Sequence, residues 1–180
     1  MKLRPFLFII PLLSLSALPA SAATEGTLSG QVGVQVIISE GCTVGNNTSS
    51  GTANEWGSIN FGTYADLSNI INGTVLGSNG TDTVTVTCTS GLSPTLTLNG
   101  GGNQANQLRS MVSGSTTIPY RLYSDSSYSK EIPVNGSIAL AADGTAQSIP
   151  LYGRILPGDQ KSSAPTAGTY TDTVTATLSW

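Results

Sequence analysis

The carboxylates are the residues of this chain that could do acid–base chemistry, and there are ten of them. Glycoside hydrolysis, for example, needs two carboxyl groups about 5–9.5 Å apart. Asp66, Asp82, Asp143 and Asp159 fall in predicted turns, where isolated acids are usually solvated or bond the turn backbone. Asp172 is the exception, because it falls on the apolar side of the last predicted strand. No motif pairs the acids, so we predict no catalytic site and no enzymatic activity.

The absence of histidine excludes several other kinds of chemistry. Ser-His and Cys-His nucleophile pairs, a histidine general base and His-ligated zinc all require it. The chain also has no Asp-x-Asp-x-Asp run that could bind calcium. We therefore predict no metal and no cofactor. The formal net charge of −3 argues against nucleic-acid binding, which needs a basic surface.

Several aromatic residues could form a sugar-stacking platform. Large aromatic side chains in a β-sandwich more often pack in the core or pair across strands, so no small-molecule substrate is expected. The residues concerned are Trp56, Phe61, Tyr64, Tyr120, Tyr123 and Tyr152.

The first 22 residues have the pattern of a secretory signal peptide. Lys2 and Arg4 precede an apolar run over 5–18, and small residues follow at Ala20 and Ala22. The alternative is a membrane anchor, but the run is shorter than the ~20 residues that span a bilayer and it contains Pro11. We therefore predict export, with cleavage after Ala22.

The two cysteines, Cys42 and Cys88, are expected to form a disulfide, because an exported chain is oxidised. The bond would close a long loop, and loop-closure entropy assigns it roughly 4 kcal/mol of stabilisation. The alternative is a reactive thiol. Neither cysteine has a lysine or arginine near it in sequence to lower its pKa, which disfavours that alternative.

The elements that must position these residues are strands. Apolar residues alternate with polar ones in seven stretches, and no helical periodicity is sustained. The stretches are Leu28–Ile38, Thr81–Thr89, Pro94–Leu98, Ile118–Tyr123, Ser137–Ala141, Ser148–Ile155 and Thr169–Trp180. Turn dipeptides separate them at Asn72-Gly73, Asn79-Gly80, Asn99-Gly100, Asn135-Gly136 and Asp143-Gly144. This pattern predicts an antiparallel sandwich or barrel.

The two terminal stretches of the mature chain are the most informative. The first has an apolar side made of Leu28, Gly30, Val32, Val34, Val36 and Ile38. The last has inward positions Tyr170, Asp172, Val174, Ala176, Leu178 and Trp180. An apolar strand at the end of the chain has no following hairpin partner, so another strand must cover its edge. The N-terminal stretch of the same molecule or of another is the natural candidate.

Six segments in order give the chain a family resemblance. They are Gly41–Gly45, Gly57–Gly62, Val84–Cys88, Pro119–Asp125, Ile149–Ile155 and Ala167–Val174. With them the sequence resembles the spore coat U domain family, which includes the rod subunits of archaic, Csu-type chaperone-usher pili. The segments extend over nearly the whole mature chain.

The resemblance implies an all-β fold: an immunoglobulin-like antiparallel β-sandwich that is incomplete, its final strand being supplied in trans by a neighbouring subunit or a chaperone. Residues 1–22 would be the signal peptide, 23–40 a donor-strand extension and 41–180 the pilin body. The donor strand would use the alternating residues from Leu28 to Ile38. Tyr170, Val174, Ala176, Leu178 and Trp180 would line the acceptor groove, Cys42 and Cys88 would form the body disulfide, and the chaperone would recognise Trp180.

The implied function is that of a structural subunit of a surface pilus, which polymerises by donor-strand exchange for adhesion and biofilm formation. Its partners would be identical or homologous pilin subunits, a periplasmic chaperone and an outer-membrane usher, with export through the periplasm to the cell surface. The single-domain length favours a shaft subunit over a tip adhesin. The alternative is a monomeric secreted or spore-surface binding module whose N-terminal strand completes its own sandwich.

Overall fold

The computed structural model describes residues 27–45, 56–77, 80 and 83–180. The predicted signal peptide, the first residues of the predicted extension and Asp82 lie outside this part of the chain. The chain divides after Ile37 into two units, residues 1–37 and 38–180. No helix of the described residues is long and apolar enough to cross a membrane.

The second unit is built from short antiparallel strands. Residues that alternate between inward apolar and outward polar positions form most of them, as expected for strands with one buried face. The strands are β1 Cys42–Gly45, β2 Ser58–Ile59, β3 Ile71–Leu76, β4 Thr85–Cys88, β5 Thr95–Leu98, β6 Arg109–Ser113, β7 Thr116–Tyr123, β8 Glu131–Ile132, β9 Ser137–Ala139, β10 Gln147–Ser148, β11 Tyr152–Ile155 and β12 Ala176–Ser179. A single 3₁₀ turn at Pro157–Asp159 is the only helical element among the described residues.

The strands form three antiparallel sheets. The largest has the order β2-β3-β11-β7-β6, with β8 also paired to β7; the others have the orders β1-β4-β10 and β12-β5-β9. The core between them contains Ile71, Val84, Leu96, Leu98 and Leu122, each at most 3% exposed. This arrangement confirms the predicted all-β, antiparallel class.

The predicted strand over Leu28–Ile38 is absent. No residue from 27 to 41 belongs to a strand, although the apolar and polar residues alternate as described. Alternation defines two sides of a segment, but a strand also needs a neighbouring backbone that completes its hydrogen-bond ladder. Within the described chain, residues 27–37 have no such partner.

The C-terminal strand is shorter than predicted. The sequence predicts a strand over Thr169–Trp180, whereas β12 covers only Ala176–Ser179 and Thr171 makes an isolated bridge to Val112 in β6. The reason is that the segment changes sheets: it leaves the edge of β6 at Thr171 and joins β5 from Ala176. The residues between these contacts belong to neither ladder.

The turn predicted at Asn72-Gly73 is wrong, because both residues lie inside β3. Gly73 pairs with Gly153 in β11, and a Cβ on Gly73 would lie 2.7 Å from a methyl group of Ile59. The glycine is therefore there for close packing rather than for a turn. By contrast, the predicted turns at Asn135-Gly136 and Asp143-Gly144 carry positive φ angles, +59° at Asn135 and +83° at Gly144.

Candidate functional site

A groove of about 900 Å³ opens in the body between residues 56–61 and residues 170–176, which form its two walls. Its floor is mostly apolar because it consists of the inward side chains of four strands. These are Val75 of β3, Leu96 and Leu98 of β5, Met111 of β6, and Tyr120 and Leu122 of β7. Leu96, Leu98 and Leu122 are also core residues and are at most 2% exposed, so the groove lies directly against the hydrophobic core.

Both walls of the groove include an edge strand. β2 is the last strand at one end of the largest sheet, and β12 is the last strand of the β12-β5-β9 sheet. Among the described residues β2 pairs only with β3, and β12 only with β5. Each edge strand has backbone N–H and C=O groups on one side without a ladder partner. A segment placed between them could pair with both edges and cover the apolar floor.

The C-terminal wall brings together only part of the predicted acceptor set. Tyr170, Val174 and Ala176 line the groove and are half-buried. Leu178 packs against the core but does not line the groove, and Trp180 is 58% exposed. Half-buried and exposed side chains alternate along this wall as predicted, since the residues between the acceptor positions are exposed: Thr171, Thr173, Thr175 and Thr177.

Among the described residues, Asp172 is the only charged one that lines the groove. Its Oδ2 accepts a hydrogen bond from the Tyr120 hydroxyl at 2.7 Å, and its Oδ1 accepts one from the Gly102 N–H at 2.8 Å. Burial, together with the bond to Asp172, raises the pKa of Tyr120. The phenol therefore stays protonated and remains a donor to the carboxylate. The acid on the apolar side of the predicted strand is thus an internal hydrogen-bond acceptor, and no second acid of the described ranges lines the groove with it.

The predicted donor residues are strongly exposed. Leu28, Val32, Val34, Val36 and Ile38 are each between 80% and 103% exposed. Gly30 has no other atom within 4 Å of where a Cβ would lie. Such a row of exposed aliphatic side chains is unusual for a soluble protein.

Family comparison covers both this segment and the groove. The model of the spore coat protein U domain matches residues 28–177, which is most of the chain. The chain belongs to the spore coat protein U domain family. The resemblance inferred from the six sequence segments is therefore confirmed. No curated protein matches the sequence.

A solved structure is similar to this spore coat U domain in fold. It is a chain of the CsuC–CsuE chaperone–tip adhesion subunit pre-assembly complex of archaic chaperone-usher Csu pili from Acinetobacter baumannii. The sequence identity is 20% and the TM-score is 0.50. The alignment covers 79% of this chain but only 40% of that one. The likeness supports the predicted fold class, an incomplete immunoglobulin-like antiparallel sandwich.

Arg109 is a residue of the spore coat U domain whose role sequence reasoning missed. It is 2% exposed, and burial lowers its pKa. Its guanidinium donates to four backbone carbonyls: those of Leu98, Asn99, Ile132 and Pro133, at 2.8–3.0 Å. It therefore joins the end of β5 to the end of β8. A lone arginine in a sequence gives no signal that its partners will be carbonyl groups.

Cys42 and Cys88 are joined by a disulfide. They face each other in the pairing of β1 with β4, so the bond links two adjacent strands. No free cysteine is present among the described residues. The bond lies at the point where the body begins after the exposed segment.

The aromatic residues considered as a sugar platform are not brought together. Trp56, Phe61 and Tyr120 line the groove. Tyr123 and Tyr152 instead pack against Tyr128, which lies over the guanidinium of Arg154 at 3.7 Å. Tyr64 is 57% exposed. Across the described ranges, no group of three or more acids or cysteines is placed to hold a metal ion.

Proposed function

We propose that this protein is a structural subunit of a chaperone-usher surface pilus that polymerises by donor-strand exchange. Residues 23–40 of one subunit supply a strand, and the body of the next, residues 41–180, accepts it. The observation that carries the proposal is the apolar groove whose walls include two edge strands, β2 and β12. One inserted strand satisfies both edges and covers the apolar floor of the groove.

The apolar side of the extension supplies the driving force. Each aliphatic side chain contributes about 1.5–3 kcal/mol when it passes from water into an apolar site. The row from Leu28 to Ile38 contains five such side chains, all exposed in the single chain. Removing the strand re-exposes all of them at once, so the contact is non-covalent but slow to break.

A groove of this kind needs a temporary occupant before assembly, because an uncovered apolar groove with open strand edges invites aggregation. We assign this task to a periplasmic chaperone, which recognises the exposed side chain of Trp180. An outer-membrane usher then replaces the chaperone strand by the extension of the next subunit. The assembled fibre serves adhesion and biofilm formation at the cell surface. The solved structure of similar fold is a complex of a chaperone with a tip adhesion subunit, which supports a chaperone as a partner.

Denaturing gel electrophoresis of material sheared from the cell surface tests the proposal. Unboiled samples are expected to give a ladder of multimers that collapses to one subunit band on boiling. We define the collapse temperature as the temperature at which the ladder converts to the single subunit band. A single band in both lanes, from properly exported protein, contradicts the proposal and favours the monomeric binding module with a self-completed sandwich.

Two changes in the extension show whether it is the donor. Deletion of residues 24–38 should abolish the ladder and leave a chaperone-bound body. Val34→Asp should do the same, because it places a charge on the apolar side of the segment. Gln35→Asp is the matched control: it places the same charge one position away, on the polar side, and should leave the ladder intact. Equal effects of the two charges would argue against a buried donor strand.

A further inference from the structure

Part of the C-terminal wall of the groove has no β-ladder. Thr171 exchanges two backbone hydrogen bonds with Val112 of β6, at 2.9 and 3.2 Å, and β12 begins only at Ala176. Between these contacts, Asp172, Thr173 and Val174 make no backbone–backbone hydrogen bond to any described residue. These residues nevertheless line the groove, and their side chains alternate as in a strand.

Two side chains hold this wall in place where backbone pairing does not. Asp172 binds the Tyr120 hydroxyl and the Gly102 N–H, as described above. Asn99 accepts a hydrogen bond from the Thr175 N–H at 2.8 Å through its Oδ1, while its own N–H donates to the Thr175 carbonyl at 3.0 Å. The wall is thus fastened at both ends.

The partners of the C-terminal wall, Tyr120 and Asn99, are held in place by their own surroundings. Tyr120 is 6% exposed, and the buried Arg109 guanidinium donates to the Asn99 carbonyl at 2.8 Å. Gly101 has a positive φ of +75°, and a Cβ there would collide with the Asp172 carboxylate. The loop after β5 therefore has the one residue type that allows both its own conformation and the close approach of the acid.

We propose that Asp172 is a positioning residue for strand uptake: together with Asn99, which binds Thr175, it holds residues 172–174 in a strand-like path while the backbone groups of these three residues remain free to pair. Ordering a flexible segment opposes binding by about 1–2 kcal/mol for each residue's backbone. A wall that is already ordered avoids that entropic penalty when the strand arrives, which is the general advantage of preorganisation. The inference rests on the proposed function, because it concerns the same groove.

The test compares assembly rate with the durability of the finished fibre. In cells that export the full chain, the ladder is followed after a pulse of expression, and the collapse temperature of the fibre is then measured. Asp172→Ala should slow accumulation of the ladder about tenfold, as expected for loss of a charge-assisted hydrogen bond at the rate-limiting step. The collapse temperature should stay at the wild-type value, since pairing with the inserted strand then holds the wall.

Asp143→Ala is the matched control. The Asp143 carboxylate also accepts one backbone N–H and one hydroxyl, both from Thr145, at 2.9 and 2.7 Å, and in addition the side-chain amide of Gln147 at 2.9 Å, but it lies outside the groove. The Asp143→Ala variant should assemble at the wild-type rate. Tyr120→Phe provides a second test if Asp172→Ala fails to accumulate, because it removes only the hydroxyl bond and keeps the buried ring; it should also slow assembly.

Four results would overturn the inference. If Asp172→Ala assembles as fast as wild type, or if its fibre collapses at a lower temperature in step with any slowing, the acid is only structural. If Asp172→Ala is degraded and Tyr120→Phe assembles at the wild-type rate, the acid is again only structural. Absence of any ladder from the wild-type chain would overturn the proposed function and this inference together, whereas the other results leave the proposed function standing.

Discussion

Gly30 is the one position on the apolar side of the extension that carries no side chain. Nothing lies within 4 Å of where its Cβ would be, so the chain itself tolerates a larger residue there. If the groove of the next subunit is shallow at that point, Gly30→Leu should weaken strand uptake by about 1–3 kcal/mol, the usual effect of overpacking. The rate of ladder formation measures this effect.

Gly33 offers the control for that substitution. It lies in the same segment, three residues away and on the polar side, and it too has nothing within 4 Å. Gly33→Leu should leave the rate near that of the wild type, because its side chain points away from the groove. If both variants assemble as fast as the wild type, the missing side chain at Gly30 has no part in recognition.

Single residues also mark the limit of what the sequence could predict. Asp172 stands out in the sequence as an acid on an apolar side, but its partners are a tyrosine and a backbone N–H from distant parts of the chain. Contacts between residues that are far apart in sequence leave no pattern in the sequence around Asp172. Gly73 is a second example. The Asn-Gly dipeptide predicts a turn there, but the residue lies in β3, where its lack of a side chain leaves room for Ile59.

At the scale of elements, the pairing of β3 with β11 shapes the wall of the groove. Gly73 and Gly153 are opposite each other, and the ring of Phe61, which lines the groove, lies over them. A Cβ on Gly153 would come within 2.7 Å of the Phe61 ring, so Gly153→Ala must push the ring aside. We expect a loss of about 1–3 kcal/mol in stability, together with slower strand uptake.

The collapse temperature and the rate of ladder formation measure these two effects. Gly158→Ala is the control, since it makes the same change at a glycine whose Cβ would meet nothing within 4 Å. It should behave as wild type. A Gly153→Ala fibre that matches the control in both measurements would mean that the Phe61 ring has room to move without narrowing the groove.

Element boundaries follow from pairing, which explains where the sequence predictions succeeded. β5 lies within a predicted strand, and β7 contains the predicted strand Ile118–Tyr123 and begins two residues before it; in both, the alternation coincides with a partner on each side. The extension has the same alternation and no partner in the single chain, so it forms no strand. β6, from Arg109 to Ser113, was not predicted, because its first two residues, Arg109 and Ser110, are a buried arginine and a buried serine.

At the scale of the whole molecule, charge is scarce and concentrated in a few local contacts. Only 9% of residues are charged. Arg121 bridges Glu131 of β8 and Asp159 of the 3₁₀ turn, at 2.9 and 2.6 Å, and its hydrogen bond to Asp159 raises its pKa. Other acids serve as acceptors within turns. Stability of the body should therefore depend little on long-range charge and more on these contacts.

Three exposed turns allow the contribution of local contacts to stability to be tested at acid pH. Hydrogen bonds from Ser68, Ser127 and Thr145 hold the pKa values of Asp66, Asp125 and Asp143 below the ordinary aspartate value. A group whose pKa is lower in the folded state stabilises it above the unfolded pKa, about 3.9, and that contribution is lost as pH falls through the folded value.

The melting temperature of the purified protein should therefore be similar at pH 7 and pH 5 and lower at pH 2. Asp125→Asn should narrow the difference between pH 7 and pH 2, because the amide cannot titrate. Its melting temperature at pH 7 should lie below that of the wild type, since the amide accepts fewer of the bonds from Ser127, Ser129 and Lys130. A wild-type melting temperature that does not fall at pH 2 would mean that these turns persist in the unfolded chain, so that their acids have the same pKa in both states.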